Sequence, residues 1–260
     1  MRDIKEFDEL YARLEDMKKR AVRGEIGISA FLSPRELHYA KAYLSRSGTA
    51  FLEYGGYRDA ERKRLYVLPE YMEGIEEAGS LGEYGEETGI CAVCAKGSGF
   101  CKLSHRDFMG SLLGLGVERS VIGDIIVTEG LSATVFCDIK IADFLVNEWH
   151  EVGHDRIKCA ILQVGEMALP ERRYAQISDT VASARLDCVV AALCNLARER
   201  ARACVVSELC EIDYEKETRP DKEVVPPALI SVRGYGKFRV LSIEGQTKRG
   251  RYRISAQKFL

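Results

Sequence analysis

The sequence predicts an α+β protein built from three successive units. Three observations carry that prediction. The first 80 residues show helical apolar spacing followed by short strands. The middle reads β-α-β-β-α-β, and the C-terminal part reads as two short helices followed by strands. The expected boundaries are 1–80 for an N-terminal α/β domain, 85–168 for a ferredoxin-like, RNA-recognition-like domain, and 180–260 for the last module. With 260 residues, 46% of them hydrophobic, the chain is long and apolar enough for more than one core.

In the first unit Ile4, Phe7, Leu10, Leu14 and Met17 recur at three- and four-residue spacing, with charges filling the opposite face. A second helix starts at Ser33-Pro34-Arg35-Glu36, where Ser33 caps, Pro34 fits the first helical position and Glu36 closes a capping box. Leu37, Ala40 and Leu44 form its buried stripe. The strand-like stretches TAFLEY and LYVL follow. From Pro69 to Gly89 the composition turns acidic and Gly-rich, which reads as a linker or a loosely held helix.

In the middle, ICAVCA is a strand, SHRDFMGSLLGL a helix, IGDIIVT and SATVFCD paired strands, IADFLVNEWHEV a helix and RIKCAILQV a strand. The stripe on the second helix makes Trp149 a core residue. RNA-recognition domains of this topology stack bases on aromatics of their central strands, and here those strands offer only Phe136. Any RNA contact by this unit would therefore rest on shape and charge. GEMALPERRYAQ then reads as a linker. SARLDCVVAALCN and ARERARACVVSEL read as helices, and CEIDY, ALISVRG, KFRVLSI and RYRISA as strands, the last two joined by a turn at Glu244-Gly245-Gln246.

Several chemistries find no footing. No run of 18 apolar residues occurs, so no membrane span is expected, and the N-terminus is charged from its second residue, which points to a cytoplasmic protein. Cys91-x-x-Cys94 with Cys101 and His105 raises zinc, but a strand sends residues three apart to opposite faces, and no second close ligand pair follows. The nine cysteines are expected to be free thiols, and no cofactor is implied. His105-Arg106-Asp107 lacks the Asn of a kinase catalytic loop, since Leu112 stands there; Ser104 and Asp107 read as a helix start instead. The glycines at 97, 99, 114 and 116 lack the Gly-Lys-Ser/Thr of a phosphate loop. No small-molecule substrate is implied.

Charge is more informative in its distribution than in its sum. The net charge is −2, yet residues 171–260 hold 17 Lys and Arg against 12 Asp and Glu. From Arg233 to Leu260 there are eight basic residues and one acid, Glu244. Arg198 and Arg202 lie four apart on one helix face, Arg185 opens the preceding helix, and Lys248, Arg249, Arg251 and Arg253 lie on the final hairpin. Planar guanidinium groups grip phosphate bidentately, so these seven residues are the candidate RNA-binding set. The competing expectation is a solvated surface in which arginines pair with Glu199 and Glu208.

The stretch ARLDCVVAALCNLARERARACVV resembles the S4 RNA-binding pattern, with Arg185, Leu186, Asp187, Arg198 and Ala201 in the motif positions. Together with FLSPREL, FLEYGGYRDAERKRLYVLPEY, LSHRDFMGSLLGLGVERSVIGDIIV and ISVRGYGKFRVLSIEGQTKRGR, it makes the chain similar to the YlmH family of bacterial S4-domain proteins. The chain departs from the S4 pattern at Glu208, where Gly is usual, at Ala197 in place of Ser, and at Asp213 in place of Asn. The resemblance implies a C-terminal S4 module that binds ribosomal RNA and tRNA on the large ribosomal subunit, with a role in rescue of stalled ribosomes and no catalysis. The alternative is an RNA-modifying enzyme of pseudouridine-synthase type, in which Arg185-Leu186-Asp187 would mimic the catalytic context. A protein adaptor for cell division finds no positive feature.

Overall fold

Amphipathic helices need a partner for their apolar stripe, and in this chain the first two supply it to each other and to a small sheet. A computed structural model describes residues 7–72, 74–76, 80–81, 88–162, 174–247 and 250–260; Ile4 lies outside them. Helix α1 (Asp8–Val22) buries Leu10, Leu14, Met17 and Ala21, and α2 (Pro34–Arg46) buries Leu37, Ala40 and Leu44. The Ser33–Glu36 capping box starts α2, each side chain bonded to the other residue's backbone N–H. Beneath them, β1 (Gly27–Ile28), β2 (Phe51–Tyr54) and β3 (Arg64–Val67) form an antiparallel sheet in the order β1-β3-β2, with every residue of β3 buried. The Pro69–Gly89 stretch is more than a linker: Glu70–Met72 makes a 3-10 turn, and Met72 and Leu81 are fully buried beside Tyr66. Isolated apolar residues among Gly and Glu have no period, so the sequence hid these anchors.

The next elements run β4 (Ile90–Lys96), α3 (His105–Gly114), β5 (Ile122–Thr128), β6 (Ser132–Asp138), α4 (Ile139–Glu148), a ribbon of β7 (Glu151–Val152) and β8 (Asp155–Arg156), and β9 (Lys158–Leu162). They give an antiparallel sheet ordered β5-β6-β4-β9. Alternation along β4 sends Cys91, Val93 and Ala95 to the core under α3 and α4, and Ile90 and Ala92 to the opposite face. Cys91 and Cys94 thus point apart, and burial pushes the Cys91 thiol up. Among the described residues no three potential ligands gather as a metal site. Trp149 is 1% exposed, and its indole N–H donates to Ser111 Oγ at 2.8 Å. It is core but not helical. Helix α4 stops at Glu148, short of the expected Val152, because Gly153 (φ 62) folds the following residues into the β7–β8 ribbon.

The second face of this sheet, around Phe136, packs against residues from Phe31 to Arg64. Phe31, Ile90, Ala92 and Phe136 form one cluster, and Tyr57 stacks on Phe136 with ring centroids 4.9 Å apart. Gly56 (φ 98) permits this approach, since a Cβ there would lie 2.2 Å from Phe136 Cδ1. Asp124 accepts from the Tyr57 hydroxyl at 2.7 Å and from the backbone N–H groups of Glu61 and Arg62 at 2.7 and 3.0 Å. Arg62 in turn donates to the carbonyls of Phe31, Arg119 and Ile122. Arg64 pairs with Asp138. Residues 1–169 accordingly form one compact unit and residues 170–260 another.

In the second unit, β10 (Tyr174–Val181), α5 (Leu186–Cys194), α6 (Arg198–Val206), β11 (Cys210–Ile212), β12 (Glu215–Lys216), β13 (Ala228–Val232), β14 (Gly236–Gln246) and β15 (Tyr252–Phe259) build a sheet ordered β10-β15-β14-β13-β11-β12. Leu186, Val189, Val190 and Leu193 of α5 and Ala201, Cys204 and Val205 of α6 close its core over Ile230, Phe238, Val240, Ile254 and Ala256. Two expectations are corrected. The end of the expected linker is strand: Tyr174–Val181 pairs with β15 along its whole length. As an edge strand with Gln176, Ser178, Asp179 and Thr180 in it, β10 lacks the apolar alternation that would have marked it. Strand β14 also runs on through Glu244-Gly245-Gln246, with register shifts, so the turn lies beyond Gln246.

Glu208, at the position where the S4 pattern has glycine, adopts φ 58. A side chain there pays roughly 1–2 kcal/mol, while glycine would give back about 0.5–1 kcal/mol in chain entropy. The Glu208–Lys216 pair at 3.4 Å is exposed and offsets little. Glu208→Gly is therefore expected to stabilise the second unit by about 0.5–1 kcal/mol, read as a higher urea midpoint at constant m-value; an unchanged or lower midpoint refutes it.

Candidate nucleic-acid interface

The arginines at the start of the second unit's helices are held by one carboxylate. Arg185 is the N-cap residue of α5, and Asp187 lies in its first turn, where a negative charge is stabilised by the helix N-terminus. Asp187 is 2% exposed. Its Oδ1 accepts from Arg185 Nε at 3.1 Å and from the Cys188 N–H at 2.9 Å; its Oδ2 accepts from Arg198 Nε and NH2 at 3.3 and 3.2 Å. Burial pushes the Asp187 carboxyl up, but Arg185 and Arg198 outweigh it and hold it below the usual carboxylate value. The two guanidinium groups remain 42% and 59% exposed, fixed from behind and open in front.

Arg251 reaches the same place from the other end of the chain. Its guanidinium donates to Thr180 Oγ1 at 2.9 Å and to the Thr180 carbonyl, which ties the residue before β15 to edge strand β10. Arg198 and Arg251 line a single cleft of about 290 Å³, with Asn195 and one carboxylate, Asp179, also in its wall. Asn195 ends α5 in the left-handed conformation (φ 51), which lets α6 turn back so that Arg198 faces the cleft.

The other candidates lie elsewhere. Arg202 is exposed on α6, one turn beyond Arg198, and does not line the cleft. Arg253 is exposed and stands opposite Glu244 in the β14–β15 register, while Arg251 precedes the strand. Lys248 and Arg249 lie outside the described residues. Lys237 and Arg239 stand 5.4 Å from the Phe259 ring, and Lys258 stands 5.6 Å from Phe238. Glu208 pairs with Lys216 rather than with an arginine. The sequence pointed to Arg185, Arg198 and Arg251 individually; the roles of Asp187 and Thr180 in holding them were visible only in three dimensions.

Phe136, the aromatic of the middle sheet, is fully buried under Tyr57 and Phe31 and has no face for a base. The same middle segment, residues 93–166, matches the family model described as "Putative RNA-binding domain in YlmH". The chain is YlmH-like. Its YlmH-like character extends beyond that segment: "Ribosome-associated protein quality control protein P2" of Bacillus subtilis is 26% identical over 231 residues, covering 89% of this chain and 86% of that protein. A solved structure described as "Cell division protein ylmH from Streptococcus pneumoniae" superposes with a TM-score of 0.52 at 18% identity, over 63% of this chain and 94% of that one, a likeness of fold. The YlmH-like chain is a mixed α+β protein, and among its described residues no helix is long and apolar enough to cross a membrane.

Proposed function

We propose that this chain is a non-catalytic RNA-binding protein whose C-terminal residues 180–260 act as an S4-type module on structured ribosomal RNA, and on tRNA beside it, at the large ribosomal subunit during rescue of stalled ribosomes. The observation that carries the reading is Arg198, fixed by buried Asp187, lining one cleft with Arg251, while the same carboxylate also holds Arg185. Guanidinium forks held in place grip phosphate at a small entropic cost, and nothing in that wall stacks a base, so shape and backbone charge are what the cleft reads. The ribosome-associated relative and the RNA-binding family segment support the same partner. The pseudouridine-synthase reading needs a carboxylate presented to substrate, whereas both Asp187 oxygens are engaged and the side chain is buried.

The test is a salt titration of RNA affinity. If about five phosphates are neutralised, log affinity falls with log salt at a slope of roughly −3.5 to −4.5. Arg198→Ala with Arg251→Ala is expected to flatten that slope by about 1.4–1.8 and to weaken binding across sequences alike. A slope near zero in the parent protein, or one unchanged in the double variant, would refute the reading.

A further inference from the structure

The sheet of the first unit ends in a cluster of cations that its fold brings together, with Glu151, the register partner of Arg156, as the one acid among them. Lys96 closes β4 and Lys158 opens β9, and the two are direct partners in the antiparallel register. Like charges placed opposite each other destabilise a ladder, so this pairing calls for a reason other than stability. The β7–β8 ribbon adds Arg156, and His150 stands just before it; these four line one open cleft of about 790 Å³, whose single carboxylate is Glu151. Among the described residues, neither lysine nor Arg156 has an ion-pair partner.

The nearest buried acid, Asp155, serves the framework instead. It is 5% exposed, and its carboxylate accepts from the Ser98 hydroxyl and, at 3.1 Å, from the Ser98 N–H. Those bonds pull the 97–98 turn down as one wall of the cleft. Gly97 is required there, because a Cβ would lie 2.7 Å from Asp155 Oδ2 and 3.0 Å from the Leu131 carbonyl. The wall is therefore built, and the cations stand at its rim.

We infer that this cleft is a second RNA contact, in which Lys96, Lys158 and Arg156 take the phosphodiester backbone of a folded RNA. The chemistry favours backbone over bases: three cationic side chains line the cleft, and no Phe, Tyr or Trp does. It also gives the segment matched as an RNA-binding domain, 93–166, a surface that can act without Phe136. The inference rests on the RNA-binding reading above and adds a site in the other unit, so the test must separate the two.

The experiment uses the full chain and a fluorescently labelled stem-loop RNA, with purified ribosomal RNA as a second probe. Lys96→Gln with Lys158→Gln is expected to flatten the log affinity against log salt slope by about 1.4–1.8, as loss of two phosphate contacts does. Its thermal midpoint should not fall, because the change removes a repulsion. In parallel, brief acetylation of the unaltered protein, read by mass spectrometry, is expected to show Lys96 and Lys158 losing most of their reactivity when RNA is added. If the parent protein binds RNA while the double variant keeps the parent slope and both lysines stay reactive, the second contact is overturned and the Arg198/Arg251 site stands. If the parent protein binds neither RNA, both fall together. Should the variant misfold, the acetylation of the parent protein decides alone.

Discussion

Arg64→Ala is expected to destabilise the first unit by about 3–5 kcal/mol, the cost of leaving a buried charge without its partner. The Arg64 side chain is 6% exposed, pairs with Asp138, donates to the Gly89 carbonyl at 3.0 Å and lies 4.7 Å from the Phe31 ring centre. One side chain thus joins β3 to the end of β6 and to the residue before β4. A domain is stable by about 5–15 kcal/mol in all, so the loss would appear as a large drop in the urea midpoint and as proteolysis within residues 1–169. Asp138 has a second duty, accepting the Lys140 N–H at 2.9 Å as the cap of α4, so Asp138→Ala would lose the cap as well. Arg64→Met with Asp138→Asn removes both charges and keeps a capping side chain, and it should recover most of the stability lost in Arg64→Ala.

The pair also sets an acid limit. Burial raises the Asp138 carboxyl, but the Lys140 N–H and Arg64 lower it further, and the net shift is below the ordinary 3.8. A lowered carboxylate contributes its stability fully above the unfolded value and loses it as pH falls through the folded one. The parent protein should therefore lose stability below about pH 4, and Arg64→Met with Asp138→Asn should lose less over that interval. Equal acid limbs would refute this assignment. So would a loss under about 1 kcal/mol in Arg64→Ala, the range of an exposed pair.

Asp187→Ala is the second large effect, and its sign is diagnostic. Removing a negative charge from a phosphate-binding surface would by simple electrostatics strengthen RNA binding, by about 0.6 kcal/mol for charges about 7 Å apart in water. Asp187, however, fixes Arg185 and Arg198 before any ligand arrives. Freeing two guanidinium side chains returns an ordering cost of about 1–3 kcal/mol to the binding step, roughly a 5- to 150-fold rise in Kd. Weaker binding is therefore expected, with the salt slope nearly kept because both cations remain. Tighter binding would show that the carboxylate acts only as a charge. Loss of the Cys188 N–H bond and of the helix N-terminal charge should also cost about 1–2 kcal/mol of stability; the arginines are too exposed for their pairs to add much.

The primary structure alone determined which segments are helices and strands where period and capping agree: α1, α2 with its Ser33 box, α3 with its Ser104 box, the alternation of β4 and the placing of Arg185 and Arg198 on the two helices of the second unit. These are short-range facts, set by side-chain spacing and by bonds to backbone a few residues away. Tertiary structure alone decided the rest, because it depends on contacts between residues far apart in the chain. Edge strand β10 exists through β15, more than 70 residues later, and its polar residues carry no period of burial. Phe136 was the one aromatic a base could have used, and Tyr57 and Phe31 cover it. Asp187 became an organiser of arginines only when α6 folded back on α5, and Lys96 met Lys158 only when β9 took its place beside β4. Charge can be counted along a chain, but whether like charges gather or disperse is fixed by packing, since the free energy that closes the core is far larger than the repulsion it imposes on the surface.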